Sequence, residues 1–195
     1  MMGGSNVEIR FVTGNQGKVN EIRRWLEPYG FGVVMDNDRF VEVQADTLET
    51  VIIEGMGELL ERRGRDEWFM KDDSGLFIDS LGGFPGVYSA YVQRTIGNGG
   101  ILTLMENVKD RRAVFRTVIG LNVPGKGLSV FRGECRGAIS VSERGDMGFG
   151  YDPIFIPDGR KETFAEMSTD EKNMMSHRID AVRKMREFLD GYVDG

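Results

Sequence analysis

The chain has 195 residues, of which 40% are hydrophobic and 29% charged, with a net charge of −6. That is enough for one domain, or two closely joined lobes, around a sizeable core. The acidic balance excludes a basic nucleic-acid binder, and neither an 18-residue apolar run nor a secretory leader is present. The expected partners therefore include no nucleic acid polymer and no membrane, and the expected location is the cytoplasm. The single cysteine, Cys135, has no partner for an internal disulfide and reads as a small buried hydrophobe.

From Val7 to Thr13, apolar Val7, Ile9 and Phe11 alternate with charged residues, the pattern of a strand. Gly14 to Gly17 breaks it, and Lys18 to Leu26 continues at helical spacing through Val19, Ile22 and Trp25. A strand, a glycine turn and a helix aim backbone N–H groups and a positive dipole end at one place, where a phosphate binds well. The same pattern is also an ordinary turn. Phe31 to Met35 reads as a second strand, and Phe40 to Val43, with Glu42 inside it, as an edge piece. Asp46 and Glu49 have the spacing of a capping box opening a helix whose stripe is Leu48, Val51, Ile52, Met56, Leu59 and Leu60.

The run from Trp68 to Met70 is expected to end in Asp72, Asp73 and Ser74, a position at which α/β sheets gather ligands. Two adjacent carboxylates repel, and a divalent cation is one way to keep both ionised. A polar Asp-Asp-Ser-Gly turn is the other reading. A glycine-dense loop from Gly82 to Ala90 follows, then a helix expected over Asn98 to Val108. Ala113 to Val123 and Leu128 to Ser140 form a hairpin around Pro124 to Gly127. Gly148-Phe149-Gly150-Tyr151-Asp152-Pro153 is either crowded packing or a surface for a flat ring. Ser168 with Glu171 caps a short element, and a last helix runs on from His177 and Arg178.

Taken together, a helix start with Lys18, the acids Asp72 and Asp73 with Glu42, the aromatics Phe149 and Tyr151, and the cations Lys172 and Arg178 describe a site for a metal-bound phosphorylated ligand with a flat base. A nucleoside triphosphate fits all of them. Water attacking phosphorus needs a base, and a carboxylate serves only where a metal acidifies that water. Metal and base are therefore expected side by side.

Thr13-Gly14-Asn15-x-x-Lys18 with Glu21, Asp72-Asp73-Ser74-Gly75-Leu76, Gly83-Phe84-Pro85-Gly86-Val87-Tyr88-Ser89, the Gly148 to Pro153 block, Thr163-Phe164-Ala165-Glu166-Met167 and Glu171-Lys172-Asn173-x-x-Ser176-His177-Arg178 resemble, in order, the signature blocks of the inosine triphosphate pyrophosphatase family. The resemblance implies an α/β fold in which a mixed, elongated, curved sheet is flanked by helices, one domain over 1–195 with two lobes and a central cleft. It also implies a homodimer. The implied reaction is hydrolysis of ITP, dITP or XTP to the monophosphate and pyrophosphate, with magnesium, or manganese in its place.

By the same resemblance, Thr13, Gly14, Asn15, Gln16, Gly17 and Lys18 hold the phosphates. Asp73 is the catalytic base and a metal ligand, with Glu42 the second ligand. Ser74 touches the substrate, Phe149, Gly150, Tyr151, Asp152 and Lys172 frame base and sugar, and His177 with Arg178 reads the purine 6-oxygen. Donors at that position favour a 6-keto purine over adenine.

Two positions depart from the family: a lysine common in other members falls at about Gly55 here, and a basic residue falls at Tyr91. Arg94 and Arg116 are candidates to replace the lost charge. Two competing functions are a nucleotide-binding or sensing module without turnover, and a related triphosphate hydrolase with another base preference.

Overall fold

The computed structural model describes residues 7–38 and 44–193. Six strands form a mixed sheet in the order β2-β1-β3-β4-β5-β6. They are β1 (Val7–Val12), β2 (Phe31–Asp36), β3 (Phe69–Ile78), β4 (Arg112–Val123), β5 (Gly127–Ile139) and β6 (Phe155–Pro157). The helices are α1 (Gln16–Leu26), α2 (Leu48–Arg63), α3 (Ser89–Thr95), α4 (Gly97–Leu104), α5 (Thr169–Asn173) and α6 (His177–Val193). The edge strand expected at Phe40 to Val43, and Glu42 with it, lies outside the described residues.

The chain divides into two compact units, one of residues 1–73, 117–133 and 178–195, the other of residues 74–116 and 134–177. In the first, β1 pairs in parallel with β2 from Val7↔Phe31 to Val12↔Asp36, and with β3 at Arg10↔Phe69 and Phe11↔Met70. Its core joins Ile9, Phe11, Val33, Met70, Ile119, Leu121 and Val123 of the strands to Val19, Ile22 and Leu26 of α1 and Val182, Met185 and Leu189 of α6. Alternation along a strand sends the intervening residues to the opposite face. There α2 packs so closely that a Cβ on Gly120 would come within 2.7 Å of Met56 and 2.8 Å of Ile52. Asn122, between these core residues, donates to the carbonyl of Glu67 at 2.7 Å.

Two boundaries differ from the sequence expectation. The N-cap of α2 is Thr47, which accepts from the Thr50 N–H at 3.2 Å, so the cap stands one residue later than Asp46. The strand through Trp68 to Met70 does not stop there. It runs ten residues, and Asp72, Asp73 and Ser74 lie inside it. Its pairing with β1 ends at Met70, so the acids stand just past the carboxyl end of the neighbouring parallel strand, which keeps the ligand rule while removing the polar turn.

In the second unit a core of Leu76, Ile78, Ile101, Met105, Phe115, Ile154, Phe155 and Phe164 is surrounded by short helices. The helix expected over Asn98 to Val108 is α4, which begins at Gly97 with a positive φ of 61° and ends at Leu104, and the separate helix α3 precedes it. The glycine-dense loop is fixed by one hydroxyl: Ser89 Oγ accepts from the Leu76 N–H at 2.8 Å and donates to the Gly86 carbonyl at 2.7 Å. A Cβ on Gly75 would collide with that same Gly86 carbonyl. Both the Asp-Asp-Ser-Gly and the Phe-Pro-Gly-Val-Tyr-Ser blocks therefore owe part of their composition to this close approach.

Removing the hydroxyl strands a buried N–H, a loss of about 1–3 kcal/mol. Urea unfolding of Ser89→Ala should show that decrease, and Gly75→Ala a decrease at least as large. Unchanged midpoints in both would mean that this approach contributes nothing to the fold.

Candidate functional site

In the first unit the turn before α1 is capped by Asn15, whose side-chain oxygen accepts from the Lys18 N–H at 3.2 Å, while Thr13 Oγ1 accepts from the Asn15 N–H at 3.1 Å. The N–H groups of Gln16 and Gly17, first in the helix, have no intrahelical acceptor by position. A Cβ on Gly14 would meet nothing within 4 Å, so the turn is open above that residue. This is the geometry expected of a phosphate-facing helix start, apart from its lysine. Lys18 Nζ forms an ion pair with Asp72 at 2.8 Å.

Asp72 is buried, and Arg178 Nε reaches its second oxygen at 3.1 Å. Arg178 is 1% exposed and also pairs with Glu21 of α1. Burial pushes the Asp72 carboxyl up, but the charges of Lys18 and Arg178 outweigh it and hold the group below its ordinary value. Burial likewise works against the Arg178 charge, and Glu21 and Asp72 more than restore it. Glu21 was visible in the sequence only as part of a matched block. Its place three residues after Lys18 puts both on one face of α1, the signal that could have found this cluster.

The adjacent acids thus stand on opposite faces of β3. Met70 and Asp72 point towards α1 and α6, whereas alternation places Phe69, Lys71 and Asp73 on the α2 face. Arg63 of α2 accordingly lies over the Phe69 ring at 5.8 Å, and Lys71 Nζ reaches Gly55 of the same helix. A Cβ on Gly55 would be 2.7 Å from that nitrogen. The space at the position lacking a family lysine is therefore filled by a lysine from β3, a residue the sequence reading passed over. Asp73 is half-buried.

Among the described residues no group of three His, Cys, Asp or Glu side chains could hold a metal ion. A magnesium ion that keeps several waters and is shared with phosphate oxygens needs only one or two carboxylates, and Asp73 fits that donor set.

In the second unit Asp152 is buried, accepting from the Phe149 N–H at 2.8 Å and from Lys172 Nζ at 2.7 Å. That fixes the ammonium 4.6 Å from the centre of the Phe149 ring, itself 38% exposed. A Cβ on Gly148, at φ 77°, would run into the Asp152 carboxylate. The Gly150 carbonyl accepts from Gln93 Nε2 at 3.1 Å and Asn98 Nδ2 at 3.2 Å, two supports with no sequence signature. Tyr151 is buried with its hydroxyl donating to the Ser89 carbonyl, and burial raises its pKa. Tyr151 therefore packs; Phe149 is the aromatic left at the surface.

His177 is buried and stacks on Phe115 at 4.7 Å with 13° between the rings. Ser74 is half-buried in β3. Tyr91 is exposed, and Arg116 lies over the Phe77 ring at 4.7 Å. The unit boundaries fall inside two matched blocks, at Asp73–Ser74 and at His177–Arg178.

Residues 9–188 match the model of the Ham1 family. A dITP/XTP pyrophosphatase of Pyrococcus horikoshii is 50% identical over 184 residues, 94% of this chain and 97% of that protein. One of Methanopyrus kandleri is 44% identical over 189 residues, 97% of this chain and all of the other. Among solved structures, the Staphylococcus aureus Ham1 protein superposes with a TM-score of 0.81 at 30% identity, covering 95% of this chain and 99% of that one. The Mycobacterium abscessus nucleoside-triphosphatase / dITP/XTP pyrophosphatase gives 0.71 at 29%, covering 92% and 97%. With a family match over nearly its whole length and relatives of the same extent, the chain belongs to the Ham1 family.

Proposed function

We propose that this protein hydrolyses the non-standard purine nucleoside triphosphates ITP, dITP and XTP to the monophosphate and pyrophosphate. The observation that carries the reading is the division of labour in β3: Asp72 is locked into an interior ion cluster, while its neighbour Asp73 is half-buried on the other face. The names of relatives up to 50% identical support the same chemistry.

In this reading Asp73 takes the proton from the attacking water. Asp73, with Glu42, would hold magnesium, or manganese in its place, and the ion supplies positive charge to the phosphate oxygens. The turn from Thr13 to Lys18 receives phosphate oxygens through its N–H groups, and Ser74 touches the substrate. Phe149 offers a ring face to the base, with Gly150, Tyr151, Asp152 and Lys172 shaping the segment around it. His177 reads the 6-oxygen, and Arg178, whose described contacts are carboxylates, positions it by holding the start of α6. The enzyme acts as a cytoplasmic homodimer.

With magnesium, the protein should release pyrophosphate from dITP and XTP much faster than from dATP. Orthophosphate as the first product would remove the proposed cleavage position, and tight dITP binding without product would favour a sensing module. Asp73→Asn should lower turnover by about 10²–10⁴ while leaving the melting temperature near that of the parent, since a positioned general base contributes about that much.

Asp72→Asn should do the reverse of a purely catalytic change, losing about 3–5 kcal/mol of stability because Lys18 and Arg178 are left facing a neutral amide. The sign in pH follows from the lowered carboxyl: its contribution is complete above the ordinary carboxylate range and is lost as pH falls through the folded value. Acid titrations of unfolding free energy should therefore slope less in Asp72→Asn than in the parent protein below about pH 4.

A further inference from the structure

Gly150 follows Phe149, the aromatic that its block leaves at the surface, and stands at a positive φ of 63°. A Cβ there would meet nothing within 4 Å, so the space beside the residue is open. A glycine so placed has the backbone freedom to let the ring before it swing. Yet its carbonyl accepts two side-chain amides, Gln93 Nε2 of α3 at 3.1 Å and Asn98 Nδ2 of α4 at 3.2 Å. On one continuous helix, residues five apart would point about 140° away from each other. The break at Gly97 is what lets both reach one oxygen.

These amides carry a desolvation penalty. Among the described residues, Gln93 Oε1 and Asn98 Oδ1 are buried and accept nothing. Turning either amide over would set its oxygen against the Gly150 carbonyl, so the donor orientation is forced. Asn98, 9% exposed, also donates from Nδ2 to Glu143 Oε2 at 3.3 Å, in the segment that leads to Gly148. A Met and a Leu would occupy the same volumes with no buried oxygen left over, so packing alone would favour them. What the amides provide, and apolar side chains cannot, is a fixed place for one carbonyl. The backbone of Phe149 is pinned as well, its N–H donating to the Asp152 carboxylate and its carbonyl accepting from the Asp152 N–H at 3.3 Å. With Gly150 held too, the Cα that carries the ring lies between fixed peptide groups.

We propose that Gln93 and Asn98 are positioning residues for base recognition, which hold the Gly150 carbonyl and so set the Phe149 ring for the purine. This rests on the pyrophosphatase reading above, in which Phe149 offers its face to the base. One donor lost from a shared acceptor is equivalent to about a three- to ten-fold change in affinity.

The test uses the full-length protein and compares a ligand that has a base, dIMP, with one that has none, magnesium pyrophosphate. By calorimetry, Gln93→Met should weaken dIMP binding about three- to ten-fold and leave pyrophosphate binding as in the parent. The KM for dITP should rise in the same proportion with kcat changed less, because a contact with the base is the same in ground and transition state. The melting temperature should stay within a few degrees of the parent's or rise, since a buried unpaired oxygen is gone. Adding Asn98→Leu, which leaves the carbonyl with neither amide, should enlarge the dIMP loss. A Gln93→Met protein that binds dIMP as the parent does would overturn the proposal at any melting temperature. Equal losses for dIMP and pyrophosphate would overturn it too, as a general disturbance of the fold. Should Gln93→Met fail to fold, the shorter amide of Gln93→Asn decides: unchanged dIMP affinity overturns the proposal. Because dIMP binding needs no turnover, a parent protein that binds dIMP but releases no pyrophosphate from dITP would sink the activity while still deciding the two amides. A parent that binds no dIMP would overturn the proposal.

Discussion

The interaction on which the first unit depends is the ion cluster of Asp72, Lys18, Arg178 and Glu21. Its formal charges cancel, two against two. Burying any one of these groups alone would cost several kcal/mol, so the cluster exists only when the start of α1, the middle of β3 and the start of α6 are all in place. Segments separated by 54 and 106 residues are thereby fixed to one carboxylate. What a nonspecific apolar core could not specify, which turn of α1 lies against which residue of β3, these directional contacts do specify.

That anchoring has a chemical consequence through strand geometry. Since successive residues of β3 face opposite ways, fixing Asp72 towards α1 and α6 also fixes Lys71 and Asp73 towards α2. The acid pair that looks redundant in sequence is one carboxylate in an interior ion cluster and one on the opposite face of the strand. An interior salt bridge thus fixes which way the Asp73 side chain leaves the strand without touching it. The second unit uses the same device at smaller scale. Asp152 binds the Phe149 N–H and Lys172 together, so an aromatic ring and an ammonium are held in one arrangement by a buried carboxylate.

Most elements were legible because their signals are local. Alternation found β1, the periodic apolar residues found α1 and α2, and the Pro-Gly-Lys-Gly link found the hairpin of β4 and β5. The matched blocks gave the family, and with it the fold. What stayed hidden has a different cause. Asp72 was read as a metal partner, Lys18 as a phosphate ligand and Arg178 as a base reader because each sits in a matched block, and the ion pairs among them were not foreseen. Their pairing, with Glu21 included, joins residues 54 to 157 positions apart, which no window contains. Lys71 was missed for a related reason: a lysine beside two aspartates reads as surface charge until the helix that covers it is known.

At Gly55 a helix position without a side chain leaves room for a lysine of the strand beneath it. A helix and the strand beneath it both border the same volume, so a cation can be supplied to that volume by either element, provided the other yields space. Volume conservation makes the two choices exclusive: a side chain at residue 55 would start 2.7 Å from where the Lys71 nitrogen already lies. Residue-by-residue matching along the chain registers such an exchange as a loss at one position and an unremarked lysine at another. That the two positions border one volume is visible only when the elements are packed together.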